Sequence, residues 1–183
     1  MSHQTGSQSG GAWVSPASGT AAYLTLGGGQ TPALRTSISH HSRINVIGGL
    51  LISPHRRRIR LLTRLQRQNI ASTHVIAFLR VLLGSVRGPI VLMWDNPPIH
   101  RHKQVAAFIA KHPRLHVYTF PRYAPELNPA EGIWTQSSEY IAGSAPRHVD
   151  ELRCNVRGSL RRTGRSDARL WACVHMSDLP CER

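Results

Sequence analysis

The chain of 183 residues carries 23 lysines and arginines against nine acidic residues, which gives a formal net charge of +14 at pH 7. This length suits one domain with a substantial core, and the charge favours a polyanionic partner. The sequence has no apolar run of membrane-spanning length and no signal-peptide pattern, and its three cysteines lack close pairing. We therefore expect a cytoplasmic protein that has no disulfide framework and no contact with a membrane.

The first half of the chain is predicted to form strands and then a helix. Residues 1–20 are rich in Gly, Ser, Thr and Ala, so we expect them to be poorly ordered or to form a degenerate first strand. Strands are predicted over 23–26, 43–52 and 58–63, in an order that suggests an antiparallel meander. Apolar residues with helical spacing then predict a helix over 72–83 that packs on the sheet.

The second half alternates strands and helices. A strand over 88–94, a helix over 103–111, a strand over 115–120 and a helix over 129–142 indicate a parallel half-sheet. Two further helices are expected, at about 149–162 and 167–175. Their simplest role is packing against the sheet, with the arginines of the first one in solvent: Arg153, Arg157, Arg161 and Arg162.

Asp95 follows the apolar strand at 88–94 directly, so its carboxylate projects from the carboxyl end of a strand. Pro97 and Pro98 stop that strand and fix an extended loop. In open α/β sheets, ligands bind at this edge. The pattern therefore marks Asp95 as a candidate site residue.

Glu131 lies at the start of a predicted helix. Asn128 is suited to cap that helix, and Pro129 suits its first position. The helix dipole favours a negative charge on the first turn, so we expect the Glu131 carboxylate to stay ionised and ready to hold a cation. Glu126 and Asn128 are assigned turn and cap roles.

Three segments together resemble a known family: GQTPALRTSISHHSRINVIGGL, WDNPPIHRHKQV and LHVYTFPRYAPELNPAEGIW. They are similar to bacterial insertion-sequence transposases of the mariner superfamily, and the similarity extends from about residue 29 to residue 179. The resemblance implies an α/β, RNase H-like mixed sheet flanked by helices, a DDE catalytic domain over 21–183, and DNA as the partner.

The family implies phosphoryl transfer on DNA with two Mg²⁺ or Mn²⁺ ions that three carboxylates hold. By resemblance, Asp95 is the second acid and Glu131 the third, and both are catalytic and metal-binding. Asn96 and His100 follow Asp95 in the family pattern. They are accessory candidates, either for contacts with the reacting groups or for structuring the loop.

The first acid of the triad is missing. In the family it lies near the start of the first strand, and the nearest match here is Ser7, which is neutral. None of residues 1–94 is acidic, so no alignment can supply this carboxylate. We therefore expect at most one bound ion and absent or severely reduced activity. Complete relatives also carry an amino-terminal helix-turn-helix region, for which we find no counterpart in this sequence.

Basic residues outside the acidic motifs are candidates for phosphate contacts, which position a duplex without reading its sequence. These candidates are Arg56, Arg57, Arg58, Arg60 and Arg122. The alternative for Arg56–Arg60 is a solvated strand face or hairpin tip.

Three functions stay open from the sequence. The first is a degenerate or truncated transposase, and the second is one part of an active transposase produced by frameshifting. The third is a non-catalytic DNA-binding regulator that acts alone or in a dimer with itself or an intact transposase.

Overall fold

The computed structural model describes residues 22–27, by their backbone only, and residues 44–54, 58–95, 100, 102–121, 124–144 and 146–178. Within these ranges the chain forms one sheet of five strands. The strands are β1 (Ala22–Gly27), β2 (Asn45–Ile52), β3 (Ile59–Gln66), β4 (Ile90–Trp94) and β5 (Leu115–Thr119).

Five α-helices accompany the sheet in the described ranges. They are α1 (Ser72–Ser85), α2 (Lys103–Ala110), α3 (Ala130–Ala142), α4 (Val149–Gly164) and α5 (Asp167–His175). A short 3-10 turn at Pro125–Leu127 precedes α3. None of the described helices is both long and apolar enough to cross a membrane.

The sheet is mixed, with the strand order β3-β2-β1-β4-β5. β1, β2 and β3 form the predicted antiparallel meander, in which Tyr23 pairs with Ile52 and Asn45 with Gln66. β4 then returns to lie parallel to β1, and β5 is parallel to β4. The central β1 therefore has β4, the strand that leads to Asp95, as its direct neighbour.

Two apolar clusters cover the two faces of the sheet. Successive residues of a strand point to opposite faces, and β2 shows this alternation clearly. Ile47 and Leu51 belong to the cluster with α1 and α2, whereas Val46 and Leu50 belong to the cluster with α3, α4 and α5. The result is a sheet between two helical layers, which is the predicted mixed α/β architecture.

Several helix limits follow from local capping. The His148 ring accepts a hydrogen bond from the Glu151 N–H at the start of α4, and Ser166 accepts one from the Arg169 N–H at the start of α5. Acidic residues on the first turn of α4 and basic residues on its last turn suit the helix dipole. α4 continues two residues beyond the predicted end at 162, and β3 extends three beyond 63 because it pairs with β2 along its whole length.

Candidate active site

Asp95 directly follows β4 and is half-buried. The preceding residue, Trp94, is buried, and its carbonyl oxygen accepts a hydrogen bond of 2.9 Å from the Phe120 N–H. Pairing between the two parallel strands thus continues up to the residue before Asp95. This places Asp95 at the carboxyl edge of the sheet, as the sequence predicts.

Glu131 lies on the first turn of α3, which Asn128 fixes in place. The buried Asn128 side chain accepts a hydrogen bond of 3.1 Å from the Ala130 N–H, and its carbonyl oxygen accepts one of 3.0 Å from the Glu131 N–H. The predicted capping role of Asn128 is confirmed. The helix begins at Ala130, one residue later than predicted, so Pro129 occupies the position before its first turn.

α3 packs closely on its neighbours. A Cβ atom at Gly48 on β2 would lie 2.7 Å from Cη2 of Trp134, which is one turn beyond Glu131. A Cβ atom at Gly132 would lie 3.1 Å from the sulfur of Cys173 on α5. The first approach fixes the start of α3, and therefore Glu131, against the sheet, and the second fixes it against α5.

The pKa of Glu131 is raised by two effects. The larger effect is partial burial of the Glu131 carboxyl group, and the second is the negative charge of Asp95. The residue as a whole remains exposed to solvent. The sequence-based expectation of an ionised Glu131 considered only the helix dipole, and the burial and the Asp95 charge act against that effect. The raised pKa has one consequence: a cation between the two carboxylates would relieve their repulsion.

His100 supports the Asp95 backbone. Its ring stacks on Trp94 with centroids 4.3 Å apart, and its Nδ1 lies 3.1 Å from the Asp95 carbonyl oxygen. Since a carbonyl can only accept, Nδ1 carries the proton. Burial lowers the pKa of His100, although the hydrogen bond and charge of Asp95 oppose that effect. These contacts favour the structuring role for His100.

The described part of the candidate site offers two carboxylates, Asp95 and Glu131. Asp95 and Glu131 are hard oxygen donors of the kind that Mg²⁺ and Mn²⁺ prefer. No group of three or more His, Cys, Asp or Glu residues in the part of the chain that the structure describes could hold a metal ion.

The remaining predicted site residues divide into two groups. Arg58 and Arg60 are exposed near the start of β3, and the Arg58 N–H donates a hydrogen bond of 2.8 Å to the Ser53 hydroxyl. The other five lie outside the described residues: Ser7, Arg56, Arg57, Asn96 and Arg122. Their roles stay predictions.

The described first strand contains no carboxylate. β1 has the sequence Ala-Tyr-Leu-Thr-Leu-Gly, and its register pairs Leu26 with Trp94, the residue before Asp95. Ser7 precedes the start of this strand by 22 − 7 = 15 residues. The strand next to β4 thus supplies no third acid.

With this geometry established, comparison with known proteins identifies the family. A family model described as DDE superfamily endonuclease matches residues 18–153, which is most of the chain. The chain belongs to this family. No curated protein matches this DDE family member.

Similarity to solved structures identifies the fold class of the DDE chain. It resembles the Mos1 transposase catalytic domain solved with raltegravir and Mn, with a TM-score of 0.59 and 12% identity over 84% of this chain and 76% of that one. A second structure, the catalytic domain of Mos1 mariner transposase, gives a TM-score of 0.56 and 13% identity over 84% and 75%. The fold is RNase H-like, as predicted.

A viral structure shows the same fold. A chain of the simian T-cell lymphotropic virus intasome, solved with the PP2A regulatory subunit B56 gamma, gives a TM-score of 0.54 and 12% identity. The similarity covers 88% of the DDE chain but only 56% of the viral one, so this chain spans little more than half of that relative.

Sequence reasoning missed the residues that hold the site in place. Gly48 lies in an ordinary strand pattern and Cys173 in an ordinary helix pattern, and neither pattern indicates contact with α3. The sequence does contain one pattern that indicates a basic surface: arginines recur at every fourth position from Arg153 to Arg169. From the sequence, the first members of this series are expected to lie in solvent without a further role.

Proposed function

We propose that this chain is the catalytic domain of a mariner-type insertion-sequence transposase, acting on DNA, whose metal site has lost one of its three acids. The observation that carries the proposal is the coupling of Asp95 and Glu131, 131 − 95 = 36 positions apart, at one edge of an RNase H-like sheet. We assign residues 21–183 to this domain. Free thiols at Cys154 and Cys173 support a reducing compartment such as the cytoplasm.

In this proposal Asp95 and Glu131 hold one Mg²⁺ or Mn²⁺ ion. When bound, the ion would polarise a phosphate oxygen of DNA. Asp95 supplies its carboxylate from the end of a buried strand, and Glu131 supplies its own from the first turn of a capped helix. His100 holds the backbone at Asp95, so the strand end stays in position.

The missing acid limits the chemistry. A two-ion site holds the attacking and the leaving oxygen at once, and three carboxylates offset the charge of the two cations. The described β1 has only neutral residues at its six positions. We infer that nicking and strand transfer are absent or severely reduced in this chain, unless another polypeptide supplies the first acid.

A second candidate is a non-catalytic regulator that binds DNA and interferes with an intact transposase. The net charge of +14 favours it, because affinity for phosphates does not depend on the missing acid. A mixed dimer with an intact transposase would have the same effect. Co-expression with an intact relative should then depress transposition, and unchanged transposition would exclude this candidate.

A nicking assay tests the catalytic proposal. Supercoiled DNA that carries the ends of the element is incubated with Mg²⁺ or Mn²⁺ and the wild-type domain, with Asp95→Ala as the matched variant. We expect little or no nicking, at the same level for both proteins. Robust turnover that Asp95→Ala abolishes would show a complete active site and overturn the claim of impaired activity.

A further inference from the structure

A groove lined by arginines lies on the α4–α5 side of the domain. One part has a volume of about 340 Å³ between β3 and α4, where Leu61, Leu65, Arg157, Arg161 and Arg165 line it. An adjoining part of about 460 Å³ is lined by Arg161, Arg162, Arg165 and Arg169. We call the five arginines of the two parts together the arginine groove.

The arginines are free to bind anions. Arg157, Arg161, Arg162 and Arg165 are exposed. Within the described ranges none of the five arginines forms an ion pair, whereas Arg67 on the same side does bind Asp150. Asp167, the nearest acid in sequence, is exposed on the first turn of α5 and also has no such pair. The positive charge of the groove is thus not neutralised by protein carboxylates.

The spacing of these charges follows the helix. Arg157, Arg161 and Arg165 succeed one another at four-residue intervals, which corresponds to a rise of about 6 Å per step along the axis. A stripe of arginines along a helix is the electrostatic footprint of a nucleic-acid surface. Guanidinium groups also bind phosphate oxygens in a bidentate way.

The lining favours a duplex over other polyanions. No aromatic side chain lines either part of the groove, and single-stranded nucleic acid depends on aromatic stacking. The neighbouring Tyr140 ring is covered by the Arg162 guanidinium, 5.6 Å from its centroid. The lining also lacks the exposed large apolar residues with which a helix inserts into a membrane surface.

The groove is distinct from the sheet edge at Asp95 and from the face of β3 that carries Arg60. Leu61 lines it, and the adjacent Arg60 alternates to the other face of β3. β3 is separated from β4 by β2 and β1, which corresponds to about 14 Å across the sheet. The stretch of a bound duplex that contacts the groove would therefore differ from the stretch that lies at Asp95.

We propose that the arginine groove binds the phosphate backbone of double-stranded DNA and holds the duplex against the domain without reading its sequence. This inference rests on the proposed function for its choice of DNA. It requires no metal ion and no third acid.

The experiment measures binding of a labelled duplex of arbitrary sequence, in EDTA, over a series of salt concentrations. The double variant Arg161→Ala/Arg165→Ala should weaken binding and lower the slope of log K against log salt by about 1.8, since each lost phosphate contact removes about 0.9. The control Arg80→Ala/Arg87→Ala removes the same charge from exposed positions at α1 and just after it, and should leave the slope unchanged.

A second pair of variants tests the shape of the groove. A Cβ atom at Gly158 would meet no atom within 4 Å. Gly158→Glu, which adds bulk and negative charge to the groove, should weaken duplex binding, whereas Gly158→Ala should not. Thermal unfolding of each variant confirms that it folds before its affinity is interpreted.

Three results would overturn the inference: equal losses in the two double arginine variants, unchanged binding in Gly158→Glu, or tighter binding of single-stranded DNA or anionic vesicles than of the duplex. The duplex-binding experiment contains no metal ion, and the nicking assay alone decides the catalytic proposal, so failure of the groove differs from failure of that proposal.

Discussion

The charge of Asp95 raises the pKa of Glu131, although the two residues lie on different elements of the fold. Asp95 ends a central strand and Glu131 begins a helix beyond the next strand. Coulomb energy falls with distance, so the fold brings the two carboxyl groups near one another.

Removing the Asp95 charge should lower the pKa of Glu131 in the metal-free protein. The pKa of Glu131 is higher in the folded state than in the unfolded state, so the folded state favours protonated Glu131. The free energy of unfolding therefore falls as pH rises through the raised pKa. Asp95→Asn should lessen that fall. NMR titration of the Glu131 carboxyl in EDTA measures the shift, with Asp150→Asn as a control that should leave it unchanged. An unchanged Glu131 pKa in Asp95→Asn would refute the coupling.

Gly48→Ala should destabilise the domain by about 1–3 kcal/mol, because the new methyl group would lie 2.7 Å from Cη2 of Trp134. Relief of that contact must shift α3, so metal affinity at Glu131 should fall as well. Urea denaturation measures the stability.

Gly158→Ala is the matched control for this change. Its methyl group would point into open space on α4, so it should be neutral or stabilise the domain by about 0.5–1 kcal/mol. Similar destabilisation by both alanines would show that the Gly48 contact has no special role.

The sequence predicted the elements well because their patterns are local. The apolar run at 43–52 identified β2 as a strand, and the helical spacing in α1 identified that helix and its buried face. The proline and asparagine before α3 identified its start to within one residue. The contact of Gly48 with Trp134 has no local pattern, because it depends on how α3 crosses the sheet. The burial and the Asp95 charge that raise the pKa of Glu131 have no local pattern either, because both depend on how the molecule packs.

His100→Ala should destabilise the domain by roughly 1–3 kcal/mol, since it removes a buried ring that stacks on Trp94 and a hydrogen bond to the Asp95 carbonyl. His116→Ala is the control, because His116 is exposed on β5 and should cost less than about 0.5 kcal/mol. Equal midpoints of urea unfolding for the two variants would contradict the structuring role of His100.

Cys173 should react with iodoacetamide roughly tenfold or more slowly than Cys154 in the folded protein. Burial raises the pKa of the Cys173 thiol, and Gln136 donates a hydrogen bond of 3.2 Å to its sulfur, whereas Cys154 is exposed. Mass spectrometry of digested peptides gives both rates. In urea the rates should converge, and equal rates in the folded state would contradict the packing of α5 on α3.

The number of bound ions tests the central claim most directly. Calorimetric titration of the domain with Mg²⁺ or Mn²⁺ should show one ion per chain, with binding lost in Asp95→Ala and retained in Glu126→Ala, a control at the exposed acid of the turn before α3. Tight binding of two ions by the wild-type domain would contradict an incomplete site.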